Sequence, residues 1–205
     1  MNQFVLEKSH ALSEASLRDI AACLLRELEA RDAYIEVELE FFRTVTAPQS
    51  KLKGVLPSTG FLNVAAHKGD GETVTFESWT GVRSFGKTCC PCSREISDYD
   101  HETGRGQGAH SQRGSVLILA KHQPEATIWF EDLIEIIDMA VSAPIYPVLK
   151  RVDERHVTMQ AYNNPCFVED VIRNVAVKLR KIEEAQDFFI RVDNQESIHA
   201  HNATA

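Results

Sequence analysis

The stretch AYIEVELEFF, residues 33–42, constrains the fold of this chain more than any other part of the sequence. Its apolar residues Ile35, Val37, Leu39 and Phe41 alternate with glutamates. Alternation with a period of two predicts a β-strand that has one face in a core and the other in water. Strands of this kind are typical of antiparallel sheets, because one face of such a sheet can stay solvated.

Further strands are predicted downstream of this one. Residues 61–67 (FLNVAAH) and 72–79 (ETVTFESW) flank KGDG, in which Asp70-Gly71 is a favoured hairpin turn. The proline-, glycine- and serine-containing segment 47–60 predicts a loop before that hairpin. Residues 115–122 (SVLILAKH) and 188–194 (FFIRVDN) have strand composition.

Three segments have apolar residues at helical spacing: 13–30, 129–142 and a part of 163–184. Ser13 or Ser16 is a suitable cap for the first. Hairpins with helices between them predict an α+β fold in which the helices lie on one face of antiparallel sheets.

Composition and charge limit the functions that the chain can have. Its 205 residues suit one large domain or two small ones, and the net charge of −8 argues against broad nucleic-acid binding. No apolar run is long enough to predict a membrane span, and the first ten residues lack the apolar core of a secretory signal. The chain is therefore expected in the reducing cytoplasm, with no membrane or nucleic-acid partner.

The five cysteines are Cys23, Cys89, Cys90, Cys92 and Cys166. Three of them are crowded into residues 89–92, where Cys90 and Cys92 are too close for an unstrained disulfide. Clustered cysteines in a reducing compartment are more often metal-binding or catalytic than structural.

Residues 81–88, GVRSFGKT, match the phosphate-loop pattern G-x-x-x-x-G-K-[ST] letter for letter. A working phosphate loop joins a strand to a helix and lies in a parallel sheet. Here the neighbouring strands form hairpins, and no apolar helical spacing follows Thr88. We therefore interpret the stretch as a strand that delivers the cysteines to a turn, with Lys87 as a local positive charge. A phosphate-loop nucleotide-binding protein remains the alternative.

Three short stretches concentrate groups that can bind a metal or transfer protons. The first is Cys90-Pro91-Cys92-Ser93 with His110 downstream, the second is KRVDERHVT (150–158), and the third is ESIHAH (196–201). Zinc takes cysteine sulfur, histidine nitrogen and carboxylate oxygen, and a catalytic zinc leaves one position for water. Each stretch taken singly is also explained by solvated charge or a buried small residue. Together they favour a metal site.

These stretches also carry a resemblance to a known family. CPCSREIS, GAHSQRG, LKRVDERHVT, AYNNPCFVEDVIR and NQESIHAHNA occur in the same order in the type IB GTP cyclohydrolases, which the chain resembles over most of residues 13–203. The resemblance implies the tunnelling fold in two tandem modules, here residues 1–92, without the family's N-terminal hairpin, and 93–205. It further implies a homo-oligomer, with a tetramer favoured, that converts GTP and water to 7,8-dihydroneopterin triphosphate and formate in folate biosynthesis with Zn or Mn.

The resemblance also assigns roles to residues of this chain. Cys90, His110, Glu154 and Glu196 correspond to the metal site, with His199 a further candidate. The catalytic groups are Cys90, Cys92, His110, His199 and His201. Glu169 corresponds to the glutamate that anchors the guanine edge, and Gln112, Arg113, Lys150 and Arg151 are proposed substrate contacts. Two alternatives stay open: a tunnelling-fold module that binds a purine or pterin without turnover, and an archaeal-type cyclohydrolase that forms a cyclic phosphate.

Overall fold

The computed structural model describes residues 12–70, 73–98 and 108–205. Its centre is a seven-stranded sheet in the order β1-β2-β3-β4-β6-β7, with β5 paired to β3 at one end. Every strand pair is antiparallel. The strands are β1 (Asp32–Thr46), β2 (Lys53–Lys68), β3 (Val74–Cys89), β4 (Ser111–His122), β5 (Ala143–Pro144), β6 (Ala185–Gln195) and β7 (Ala203–Thr204).

The described helices are α1 (Glu14–Glu27), α2 (Pro91–Asp98), α3 (Phe130–Ala140), α4 (Arg151–Asn163) and α5 (Val168–Leu179). Helices α1, α3 and α5 cover one face of the sheet, as the sequence predicts. Under α1 the core contains Leu62 and Val64 of β2, and under α3 and α5 it contains Ile118 of β4 and Val192 of β6. The predicted α+β class with helices on one face is confirmed. No described helix is long and apolar enough to cross a membrane.

Both serines proposed as caps hold the start of α1. The Ser13 side chain accepts a hydrogen bond from Ser16 N–H at 3.2 Å, and the Ser16 side chain accepts one from Ser13 N–H at 3.0 Å. This reciprocal pair satisfies backbone donors that the helix itself leaves free.

Two segments predicted as loop or turn are regular structure. Strand β2 begins at Lys53, inside the predicted loop 47–60, and Pro57 pairs with Phe42 of β1. Because β2 pairs with β3 only from Thr59 onwards, Pro57 has one free edge, where its missing N–H costs little. Helix α2 follows the cysteines where a turn was expected, and Pro91 occupies its first position, which proline tolerates.

Helix α4 was not predicted as a helix. Its buried residues are Asp153, Val157 and Ala161, so only two apolar side chains face the core. That is too few to give a recognisable periodicity. The tip of the predicted hairpin turn at Gly71 and most of the polar segment 98–108 lie outside the described residues.

The interpretation of GVRSFGKT as a strand is confirmed and the phosphate-loop alternative is wrong, because residues 81–88 lie entirely within β3. Packing explains its two glycines. A Cβ on Gly81 would lie 2.4 Å from the carbonyl oxygen of Ile118, and one on Gly86 would lie 2.5 Å from Val141 Cγ1. The residues that match the phosphate-loop pattern thus form a strand, and its two glycines allow close packing against neighbouring atoms.

A buried ion pair fastens α1 to the sheet. His122, whose side chain is 0% exposed, places Nε2 3.1 Å from Glu14 Oε1, and Thr80 also bonds to that carboxylate. Burial alone lowers the pKa of His122, but Glu14 and the carbonyl of Gln123 outweigh it, so the net pKa is raised. Burial alone raises the pKa of Glu14, but its bonds to His122 and Thr80 leave the net pKa lowered.

These shifts predict how stability depends on pH. A raised histidine pKa stabilises the fold below its ordinary value of 6.5, and a lowered glutamate pKa stabilises it above its ordinary value of 4.5. We expect Glu14→Gln to lower the free energy of unfolding by about 2 kcal/mol within that window. The difference should shrink as the pH falls through the folded pKa of Glu14 or rises through that of His122.

Urea denaturation of the wild type and Glu14→Gln at a series of pH values measures this difference. Glu27→Gln is the matched control, since Glu27 pairs with Arg26 on the exposed surface of the same helix. A difference that does not change with pH would show that the buried pair is not ionised.

Candidate active site

The antiparallel register brings three chain segments to one end of the sheet. Cys89 at the end of β3 pairs with Ser111 at the start of β4, and Arg113 of β4 pairs with Gln195 at the end of β6. Cys90, His110 and Glu196 each lie one residue beyond a strand at this end. Cys90, His110 and Glu196, which were predicted from separate motifs, therefore lie at the same sheet end, and Glu154 lies on α4, which packs against Cys89 there.

Cys90 sits between the sheet and α2. Its N–H donates to the carbonyl of His110 at 3.1 Å, and its sulfur accepts from the N–H of Ser93 at 3.4 Å. The N–H of His110 donates to the Ser93 hydroxyl at 3.3 Å. A sulfur at the start of a helix lies where the helix dipole favours negative charge. Ser93 thus links Cys90 to His110, although nothing in its sequence position indicated this role.

The remaining cysteines differ from Cys90 in their surroundings. Cys92 is exposed on α2, whereas Cys89 and Cys166 are buried. Burial raises the pKa of the Cys89 thiol and of the Cys166 thiol. Buried thiols with a raised pKa are poor nucleophiles, so these two cysteines contribute packing rather than chemistry. Cys92 lies in reach of solvent.

Adjacent residues of β4 point to opposite faces of the sheet. Gln112 is 8% exposed on the helix-covered face and donates from Nε2 to Glu196 Oε1 at 3.2 Å. Arg113 is exposed on the open face, above the ring of Phe85 at 5.2 Å, and donates to Gln195 Oε1 at 3.2 Å. Of the two predicted substrate contacts on β4, Arg113 is the one open to solvent.

Helix α4 supplies Lys150, Arg151 and Glu154. Lys150 and Arg151 are exposed at its N-terminus, and Glu154 lies one turn further, also exposed. Glu154 lines a cavity of about 430 Å³ together with Lys87 and other side chains of α4 and of the segment after β5. The helix packs on Cys89 and Ala143 at the same end of the sheet as Cys90.

Buried Asp153 fixes the start of α4. It accepts backbone N–H bonds from Gln49 and Ser50 on one oxygen, at 2.8 and 2.9 Å, and from Lys150 on the other at 2.9 Å. Burial alone raises the pKa of Asp153, but its hydrogen bonds outweigh it and hold the pKa well below its usual range. The carboxylate therefore stays ionised and ties α4 to the loop before β2.

Glu169 lies in the first turn of α5. The neighbouring Asp170 accepts from the N–H of Phe167 at 3.0 Å and pairs with Arg173 at 2.8 Å, so it performs the capping. Within the described ranges Glu169 has no hydrogen bond or ion pair, and it is exposed. Cys166, just before α5, donates its N–H to the carbonyl of Cys89 at 3.0 Å, which ties this helix start to the end of β3.

His199 and His201 follow Glu196 in a bent segment between β6 and β7. Side chains two residues apart point the same way in an extended segment. The segment is not a strand, yet the two rings stack with centroids 5.4 Å apart and an interplanar angle of 18°. Both side chains are exposed.

The described residues include donor types that a divalent metal takes. His110 Nδ1 is buried without a hydrogen-bond partner in the part of the chain that the structure describes, and the backbone carbonyl of His110 accepts from the N–H of Cys90. Imidazole nitrogen and cysteine sulfur are both ligands that zinc takes in proteins. No group of three His, Cys, Asp or Glu side chains converges within residues 12–70, 73–98 and 108–205.

The sheet, the helices on one face and the polar sheet end define a tunnelling-fold protein. The fold is similar to that of a highly active mutant of the urate oxidase of Bacillus sp. TB-90, with a TM-score of 0.60 at 10% identity, over 99% of this chain and 73% of that chain. A family model described as "Type I GTP cyclohydrolase folE2" matches residues 1–205. The chain belongs to this family.

Curated relatives in several bacteria carry the name GTP cyclohydrolase FolE2. That of Thermotoga petrophila is 40% identical over 201 residues, covering 98% of this chain and 71% of the relative. That of Nitrosococcus oceani is 35% identical over 199 residues, covering 97% and 69%. That of Dictyoglomus thermophilum is 36% identical over 207 residues, covering 100% and 74%. The predicted resemblance to GTP cyclohydrolases is thus confirmed. The matching family and relatives are described as FolE2 and not as type IB.

The two-module division at residues 92 and 93 stays a prediction. Strands β3 and β4, which lie on either side of that boundary, pair directly in the one sheet.

Proposed function

We propose that this protein is a GTP cyclohydrolase that converts GTP and water to 7,8-dihydroneopterin triphosphate and formate in folate biosynthesis. The observation that carries this proposal is the match to the FolE2 family over residues 1–205. The placement of the motif residues around one end of the sheet supports it, because a hydrolytic site needs acid–base groups and substrate contacts in one place.

We further propose that Cys90 and His110 hold a divalent metal, Zn or Mn, with Glu196 and Glu154 as the carboxylate donors and His199 as a further candidate. Such a metal lowers the pKa of a bound water and so supplies hydroxide near neutral pH. The pairing of Cys90 with His110, and the free Nδ1 of His110, support this assignment.

The chain's own residues would orient the substrate and move protons. Glu169, whose carboxylate is exposed and uncommitted among the described residues, can accept hydrogen bonds from the N–H groups of the guanine edge. The exposed cations Arg113, Lys150 and Arg151 can contact the triphosphate. Gln112 was also expected among these contacts.

Proton transfer at the purine and sugar atoms falls to side chains that are open to solvent. Exposed Cys92 and the stacked pair His199 and His201 are the side chains proposed to transfer these protons. Their position on α2 and in the segment after Glu196 places them beside the proposed metal ligands in sequence.

A homo-oligomer, with a tetramer favoured, is proposed as the active form. Within the described part of one chain no three of these donor side chains converge, which supports a site that a second copy completes. A cytoplasmic location is proposed on the clustered free cysteines, which suit a reducing compartment.

The direct test is incubation of the purified protein with GTP and either Zn²⁺ or Mn²⁺, followed by mass spectrometry. We expect formate and 7,8-dihydroneopterin triphosphate, and loss of both when a chelator is added. A cyclic-phosphate product would instead assign the chain to the archaeal type of reaction. Guanine nucleotide that binds without turnover at any metal concentration would contradict the enzyme assignment.

A further inference from the structure

The Gln112 side chain is buried in the sheet, whereas a substrate contact is expected to face solvent. Its side chain is 8% exposed, and its amide nitrogen donates to Glu196 Oε1 at 3.2 Å. Its amide oxygen is buried without a hydrogen-bond partner among the described residues. An amide fixed at one end by a carboxylate has little rotational freedom, so it holds that carboxylate in one orientation.

The surroundings of Gln112 are also polar and buried. Thr88, which pairs with Gln112 across β3 and β4, is 0% exposed, and Asn194 of β6 is 2% exposed. Each has a side-chain oxygen without a partner among the described residues. Burying such groups costs free energy that apolar side chains would not cost. A purely structural sheet end would be filled with apolar residues.

A glycine makes room for this polar row. Gly114 pairs with Asn194, and a Cβ on Gly114 would lie 2.5 Å from Asn194 Oδ1. The strands thus approach closely enough at this point to accommodate an amide from β6 beside the amide of Gln112 on β4. Both amides lie on the helix-covered face directly before the strand ends that carry His110 and Glu196.

We propose that Gln112 is the positioning residue of Glu196. It orients the carboxylate toward the divalent metal, while Arg113 on the opposite face is the β4 residue that meets the triphosphate. This inference rests on the proposed function, because it takes Glu196 as a ligand of the metal. Hydrogen-bond partners of metal ligands characteristically fix ligand orientation, and their loss costs about 10–100-fold in metal affinity.

The test compares metal affinity in four proteins: wild type, Gln112→Leu, Gln112→Asn and Gln186→Leu. Leucine removes the donor at similar volume, and asparagine keeps the amide but is too short to reach Glu196. Gln186 is an exposed glutamine at the other end of β6, so its variant controls for loss of a glutamine from this sheet. Zn²⁺ affinity is measured by competition with a chromophoric chelator, and thermal melting verifies that each variant folds.

We expect both Gln112 variants to bind Zn²⁺ about 10–100-fold more weakly than wild type, with KM for GTP at saturating metal within about twofold. The Gln186 variant should match wild type. In a Glu196→Gln background, Gln112→Leu should cause no further loss, since the two residues act as one unit.

Three outcomes overturn the inference. Unchanged Zn²⁺ affinity with a raised KM would make Gln112 a substrate contact, as first expected from the motif. Equal losses with and without Glu196→Gln would make its effect independent of Glu196. A wild-type protein that releases formate from GTP without binding metal would overturn both this inference and the metal assignment. If the wild type depends on metal and the Gln112 variants keep its Zn²⁺ affinity, only this inference is overturned.

Discussion

Replacing Cys90 with alanine is expected to remove metal binding and formate release while the chain stays folded. Cys90 contributes its sulfur at the junction of β3, His110 and α2, where Ser93 N–H already points at it. A direct ligand contributes more than the partners that orient it, so the loss in metal affinity should exceed about 100-fold. Guanine nucleotide binding should survive, because Glu169 and the exposed cations are untouched.

Equilibrium metal analysis and formate release, measured on the same sample, check this prediction. Cys23→Ala is the matched control, since Cys23 is a free cysteine on α1 away from the sheet end. A Cys90→Ala protein with wild-type metal content and turnover would contradict the assigned ligand. Loss of metal together with loss of the fold would instead assign Cys90 to structure, and circular dichroism separates these two outcomes.

Replacing Gly81 with alanine is expected to destabilise the protein by about 3 kcal/mol. The added methyl would lie 2.4 Å from the carbonyl oxygen of Ile118 and 2.4 Å from Leu119 Cδ2. The first of these atoms is backbone of the paired strand β4, so β3 and β4 must move apart to accept it. That movement would strain the ladder that also positions Cys89 and Ser111.

Urea denaturation measures the change in the free energy of unfolding. Gly69→Ala is the matched control, because a Cβ there comes no closer than 3.7 Å to the carbonyl oxygen of Thr73. Its effect should stay within about 0.5 kcal/mol. Lys87→Ala should likewise leave stability within about 0.5 kcal/mol. A Gly81→Ala protein as stable as the Gly69 variant would show that the strands adjust without cost.

The local sequence pattern was sufficient to predict those strands and helices that have one apolar face and one polar face. Strand β1, helices α1, α3 and α5, and the caps Ser13 and Ser16 follow from periodicity and backbone hydrogen bonding alone. Helix α4 could not be predicted in this way, because only Val157 and Ala161 of its apolar residues are buried and the ionised Asp153 anchors its start.

For the candidate site, too, some features could be predicted from the sequence and others could not. Residue types in short stretches marked Cys90, His110, Glu154 and Glu196, and the family resemblance added Glu169. The structure places Cys90, His110 and Glu196 next to strand ends at one end of the sheet, and Glu154 and Glu169 in the first turns of α4 and α5. No spacing could show that Ser93 connects Cys90 to His110, because that contact depends on the helical turn after Pro91.

The sequence by itself determined the alternating strands, the capped and amphipathic helices, and the donor types available for a metal, since these depend on neighbours within a few residues. Only the tertiary structure shows why the strand GVRSFGKT has glycine at positions 81 and 86, because a Cβ there would meet Ile118 and Val141, which lie far along the chain. The register of β4 against β3 and β6 likewise decided that Gln112 turns inward to Glu196 and Arg113 turns outward. Pairing between strands that are distant in sequence fixes the face of the sheet on which each side chain lies. The local sequence pattern cannot predict that face where two adjacent residues, such as Gln112 and Arg113, are both polar.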